Sequence, residues 1–114
     1  MSYDISVGKW SGNYTSNVSA LFYDHMPESD NVLGGLNGLH GLKGREAGDR
    51  IAEAFERISH TRRKLYVDGA IGEPAFCAKY DAKNGWGSAI GGLVFLAEIM
   101  AACYQHPLAK VSVG

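Results

Sequence analysis

The feature that most constrains this chain is a run of three triplets, Gly35-Leu36-Asn37, Gly38-Leu39-His40 and Gly41-Leu42-Lys43, closed by Gly44. Glycine, leucine and a polar residue recur every three positions. Side chains repeat near 3.6 residues on an α-helix and every 2 on a strand, so the run is neither. Two arrangements accommodate it. In one, glycine amides approach a ligand such as a phosphate at the mouth of the next helix. In the other, three residues per turn align Leu36, Leu39 and Leu42 along an edge that docks on the core, and glycine permits the close approach. The second is favoured. Lys43-Gly44-Arg45 is not the Gly-Lys-Ser/Thr of a P-loop, and the dinucleotide spacing is missing. A collagen-like run would be longer and contain proline.

The remaining composition bounds the class. A chain of 114 residues reads as a single domain, 1–114, able to bury a modest core without disulfide or metal staples. With 46% hydrophobic and 20% charged residues it reads as soluble and globular. A net charge of −1 supplies no field to draw in nucleic acid, so nucleic acid is not expected as the main partner. Met1-Ser2-Tyr3-Asp4 does not begin a basic stretch followed by an apolar one, so no signal peptide is read there. Cys77 and Cys103 are then expected as free thiols in a reducing cytoplasm. The glycosylation patterns at Asn13 and Asn17 are discounted on the same ground. The apolar stretch Ala89–Tyr104 is interrupted by Glu98 and is shorter than the about 20 residues of a membrane span, so it reads as a buried core helix.

Asp4-Ile5-Ser6-Val7 alternates like a half-buried strand. Gly8–Gly12 reads as a turn carrying Trp10. A helix is expected from Ser16 or Asn17, with Val18, Leu21, Phe22 and His25 on one face, ending at Pro27. Arg45–Ser59 is the clearest helix, with Ala47, Ile51, Ala54, Phe55 and Ile58 as its stripe and Glu46–Arg50 and Glu53–Arg57 as i,i+4 pairs. Leu65-Tyr66-Val67 is expected as a short strand. Gly69, Gly72 and Pro74 make Asp68–Asp81 irregular, anchored by Phe76 and Tyr80. Asn84–Ser88 reads as a turn into a last helix, Ser88–Gln105, stopped by Pro107. Lys110–Val113 reads as a closing strand able to pair with the first. The fold class is α+β: a two- or three-stranded sheet packed by three helices, with the termini paired as strands.

Candidate binding residues cluster in two aromatic, polar turns. Trp10, Asn13, Tyr14, Thr15 and Asn17 precede a helix whose first amides lack partners, which suits an anion, a nucleotide or a partner's backbone. Asn84 and Trp86 lie in Asn84-Gly85-Trp86-Gly87, where a tryptophan between glycines can stack on a ligand or fold back as a lid. If both turns meet, they form one aromatic, amide-rich cleft. His40 joins them if the polar edge of the triplets lies beside it. Arg57, Arg62, Arg63 and Lys64 form a basic patch that could contact phosphates, although helix-dipole compensation explains it as well. Catalytic and metal readings are poor. Cys103 and His106 have ligand-like spacing without a second pair, Cys77 lacks an activating context, and Glu98 is expected on the solvent edge of its helix. No metal or cofactor is expected.

Several of these segments together carry a resemblance: Ser2-Tyr3-Asp4-Ile5-Ser6, Asn13-Tyr14-Thr15-Ser16-Asn17, Leu39-His40-Gly41-Leu42-Lys43-Gly44, and the apolar helix followed by His106-Pro107 and a valine-rich strand. In this order the chain resembles small proteins encoded by bacteriophages and integrated mobile elements, many of which carry a longer glycine-rich hairpin after the first strand. The resemblance implies a phage accessory protein acting in the bacterial cytoplasm and brings no catalytic residues. Three functions follow as expectations. The first is a non-enzymatic protein that binds and inhibits a host protein complex, such as an antiviral defence complex. The second is a nucleotide-sequestering module, and the third a small hydrolase or transferase using Glu98 or a histidine.

Overall fold

A computed structural model of the chain describes residues 2–67 and 72–114. The chain opens with a hairpin of β1 (Ser2–Val7) and β2 (Trp10–Thr15). A 3-10 turn, Ser16–Val18, leads into α1 (Ser19–His25), and a second, Leu36–Leu39, precedes α2 (Gly44–Val67). Then come α3 (Gly72–Tyr80), α4 (Ala89–Gln105) and β3 (Ser112–Val113). The architecture is α+β, with an antiparallel sheet in the order β2-β1-β3. The strands at the two chain ends pair as expected: Ile5 lies opposite Val113, and Asp4 and Gly114 exchange both backbone hydrogen bonds.

The pleat sorts the side chains of the hairpin. Tyr3, Ile5 and Val7 are buried on one face and lie opposite Tyr14, Gly12 and Trp10, which are partly covered. Ser2, Asp4, Ser11, Asn13 and Ser112 belong to the other face and are exposed. All helices therefore gather over the apolar face, where Leu21, Phe22, Phe76, Leu96 and Ile99 complete the core.

The triplet run adopts the docked form. Leu36 and Leu39 are fully buried, Leu42 is partly buried, and Asn37, His40 and Lys43 are exposed. The 3-10 turn has three residues per turn, so every third side chain falls on one edge. Two of the four glycines, Gly38 and Gly44, sit where backbone meets backbone. A Cβ on Gly38 would overlap the Leu33 carbonyl, and one on Gly44 would overlap the His106 and Cys103 carbonyls. The Gly44 amide donates to the Ala109 carbonyl at 2.7 Å, which ties the start of α2 to the segment entering β3.

Several expectations are corrected. Trp10 lies in a strand rather than a turn: Gly8, at φ +58°, closes a two-residue hairpin loop, and Trp10, Gly12 and Tyr14 alternate with polar residues beyond it. The first α-helix starts at Ser19, because Thr15 caps the intervening 3-10 turn. Leu65-Tyr66-Val67 is the last turn of α2, since nothing between Ser59 and Val67 breaks a helix and tertiary context overrides β propensity. Residues 72–80 are helical rather than irregular. Pro74 falls in the first turn of α3, where its missing amide costs nothing. Gly69 lies outside the described residues. The sheet is therefore packed by four helices among the described residues, not three. β3 is shorter than Lys110–Val113, with Lys110 bridging Lys43 instead. Glu53 and Arg57 pair at 3.8 Å, whereas the Arg50 guanidinium donates to the carbonyls of Pro27 and Leu33. Phe76 and Tyr80 anchor α3 as expected, and Glu98 is exposed.

His25 ties α1 to α2. Its Nδ1 lies 2.7 Å from the Leu21 carbonyl, which can only accept, so Nδ1 carries the proton and neutral Nε2 accepts from the Thr61 hydroxyl at 3.0 Å. Burial holds the ring's pKa below its usual 6.5, against the opposing pull of the Leu21 carbonyl and Asp24. The unfolded chain therefore binds a proton here more readily than the folded one. Stability is expected to fall as pH drops from about 6.5 through the lower folded value, and the His25→Gln variant should flatten that part of a Tm–pH curve. Replacing Gly38 with alanine should destabilise the fold by about 1–3 kcal/mol in urea unfolding, while Asn37→Ala at the exposed neighbour should change little.

Candidate functional site

The two aromatic turns meet. The Tyr14 hydroxyl accepts from the Ser88 amide at 3.0 Å and donates to the Ser88 carbonyl at 3.1 Å. The Asn17 side-chain amide donates to the Trp86 carbonyl at 3.3 Å. Gly87, at φ +121°, packs on the Thr15 side chain, where only glycine fits. Four contacts thus join the end of β2 and the following 3-10 turn to the loop before α4.

That loop is also held from within. Asn84 Oδ1 accepts from the Trp86 amide at 3.0 Å, an Asx turn. The Ala82 amide donates to the Gly87 carbonyl at 3.1 Å. Two side chains cap α4: Ser88 Oγ accepts from the Gly91 amide at 3.0 Å and Asp81 Oδ1 from the Ala89 amide at 2.7 Å. The backbone around Trp86 is fixed on both sides, yet the residue is 74% exposed. Trp86 is therefore displayed, not folded back as a lid.

Trp10 and Tyr14 play the opposite part. Both rings lie against Phe95 of α4, Tyr14 stacked at 5.7 Å and Trp10 tilted at 6.3 Å between centroids. They support the loop and α4 rather than lining a cleft. Thr15 Oγ1 accepts from the Asn17 amide at 3.2 Å, so this helix-start amide is already taken. Asn13 projects on the other face of the sheet from Tyr14. His40 sits at the far edge of the sheet, its Nδ1 accepting from the Val113 amide at 3.0 Å. Of the eight binding candidates, the structure brings Trp10, Tyr14, Thr15, Asn17, Asn84 and Trp86 together and leaves Asn13 and His40 apart.

The basic cluster is not one patch. Arg57 and Arg63 line an open groove of about 840 Å³ between α1 and α2, together with the acids Asp24, Glu53 and Glu56. The Arg62 guanidinium instead lies 5.8 Å over the Phe76 ring, and Lys64 is in the last turn of α2. Because α2 continues to Val67, Arg57 is ten residues from its end and does not compensate the helix dipole. Burial pushes the Cys103 thiol up to about 11, so it is an unreactive core group.

Sequence reasoning missed Ser88 and Asp81 as caps, Phe95 as the ring beneath both aromatics, and the exposed Ile90 and Val94 on α4. A serine before an apolar helix is a legible cap signal. The reach of Asp81 is not, because it depends on the loop closing.

Comparisons with protein families, with curated proteins and with solved structures find no match. The site's meaning rests on its own geometry. Removing the Tyr14 hydroxyl is expected to free the Trp86 loop. Tyr14→Phe should cost about 1–2 kcal/mol in unfolding and speed amide exchange at Trp86 and Ser88, with the rest of the sheet protected as before.

Proposed function

We propose that this chain is a non-enzymatic accessory protein of the phage type that works by binding a host protein, with Trp86 as the contact residue. The observation that carries the reading is the tryptophan, 74% exposed as a residue, on a loop stitched to β2 and α4. An exposed tryptophan offers a large apolar area that water hydrates poorly. A fixed backbone means that little conformational entropy is lost when a partner covers it. Tryptophans in such settings are over-represented among the residues that dominate interface energies. Burying this one is worth on the order of 2–4 kcal/mol.

A host complex of antiviral defence in the bacterial cytoplasm is the proposed target class, following the resemblance of the sequence to phage-encoded proteins. A net charge of −1 does not suit mimicry of DNA, which needs a strongly acidic surface. The nucleotide-sequestering reading has less to support it, since the amide of Asn17 and the side-chain amide that would meet a ligand are both engaged within the chain.

The test is affinity capture from lysate of a phage-sensitive host, with the wild-type chain and Trp86→Ala in parallel. The wild type should retain a defined complex and Trp86→Ala should weaken it by at least about thirtyfold, with unchanged circular dichroism. Recovery of no specific complex, or equal recovery by both chains, counts against the proposal. Nucleotides should leave the thermal midpoint flat; a rise with concentration would favour sequestration instead.

A further inference from the structure

The two edges of the sheet are treated differently. At the β3 edge the outward Val113 amide is bound by His40. The β2 edge has no such cover among the described residues. Asp4 exchanges both its backbone bonds with Gly114, so across the hairpin Asn13 turns its amide and carbonyl to the open side, and so does Ser11 by the same alternation. β2 reads Trp-Ser-Gly-Asn-Tyr-Thr. It has no charge, no proline and no bulge, the devices by which exposed edges are normally blocked.

The helix over this edge carries a matching feature. α4 meets α1 through Gly92 against Leu21, and α2 through Tyr104 against Gly48. It meets β2 through Phe95 and Gly91. Ile90, Val94, Ala97 and Ala101 occupy the remaining arc and are all exposed. Such a helix, apolar on its outer side as well, is expected where a second surface covers it. Glu98, beside this stripe, is the only charged residue in α4.

We infer that the open edge of β2 and the outer stripe of α4 together form a two-fold interface with a second copy of this chain, joining two three-stranded sheets into one of six. Three observations select a copy as the occupant. First, an antiparallel edge complements itself. Pairing about Gly12 lets Ser11 exchange two backbone bonds with Asn13 of the copy, and Asn13 two with its Ser11, with no side chain of Gly12 in the way.

Second, the helices then meet at packing distance. α4 lies over both β2 and β1. With strands about 4.8 Å apart, the two α4 axes fall about 10 Å apart, within the range for packed helices. Third, the centres coincide. Phe95 lies over Gly12, and the stripe Ile90–Ala101 is centred at the same level. An antiparallel helix pair about that point sets Ile90 against the copy's Ala101 and Val94 against its Ala97, large residue to small. The face measures about 25 by 20 Å, on the order of 1,000 Å² for the two copies, the lower limit of a specific interface. β2 and the four stripe residues carry no charge; Glu98, at the border of the stripe, is the acidic group that the two-fold brings toward its own copy.

The two Trp86 loops lie at opposite ends of the helix pair, about 28 Å apart by helix rise. They remain free for the contact proposed above, and the dimer does not depend on that contact.

Sedimentation equilibrium of the intact chain at about 100 µM, high enough to populate a micromolar dimer, should give twice the 12.3 kDa chain mass. Val94→Glu puts a charge at an exposed helix position, and Asn13→Pro removes an amide that has no hydrogen bond among the described residues. Each should raise the dimer dissociation constant at least about tenfold. Circular dichroism checks the fold, and Val94→Glu stands by itself if proline disturbs β2. Trp86→Ala should stay dimeric, which separates this interface from the proposed host contact. A wild-type chain that is monomeric at this concentration overturns the inference, as does a dimer that survives Val94→Glu.

Discussion

Close approach of backbone to backbone at glycine is the constraint on which the rest of the structure depends. Gly38 lies against the Leu33 carbonyl, and Gly44 against the carbonyls at the end of α4. Each lets two elements meet without a side chain between them. Through Gly44, the amide that starts α2 reaches Ala109, and through Ala109 and Val111 the chain enters β3. The closing strand, the triplet run and the longest helix are one connected unit for this reason. A single methyl group at Gly38 or Gly44 would push backbone, which cannot rotate away as a flexible side chain can.

The same economy of space shapes the Trp86 loop. Tyr14 reaches Ser88 only because Gly91 leaves room for its ring, and the loop comes close to β2 only because Gly87 has no side chain. Two of the three aromatic residues that looked alike in the sequence, Trp10 and Tyr14, become the support, and the third, Trp86, becomes the displayed group. The division follows from the strand period. Trp10 and Tyr14 are four apart on β2 and must share a face, and that face is the one α4 covers. Trp86 sits in a loop whose backbone is held by Asn84, Asn17 and Tyr14, so its own side chain is not needed to fix it.

Much of this was legible. The stripes of α1 and α2, the docking of Leu36 and Leu39, the core role of Phe76 and Tyr80, and the pairing of the terminal strands all follow from periodicity and turn chemistry. What misled were residues whose local preference lost to context. Gly8 and Gly12 suggested a continuous turn, but only Gly8 turns; Gly12 is a strand residue beneath Phe95. Leu65-Tyr66-Val67 carries β propensity, yet a helix already formed over five turns extends at little cost. Arg62 and Arg63 are neighbours in sequence and diverge by about 100° on the helix, so one covers Phe76 and the other lines the groove.

By itself the sequence determined the class of fold, the apolar faces of its helices and the three-residue period of the triplet run, because these depend on side-chain spacing along a single element. Only the tertiary structure decided that the two aromatic turns meet, that Trp86 is exposed while Trp10 and Tyr14 are not, and that β2 rather than β3 presents an open edge. Those outcomes depend on distances between elements far apart in the chain: 74 residues separate Tyr14 from Ser88, and 73 separate His40 from Val113. No local pattern encodes such a distance. It is set by how closely the glycines allow the elements to pack.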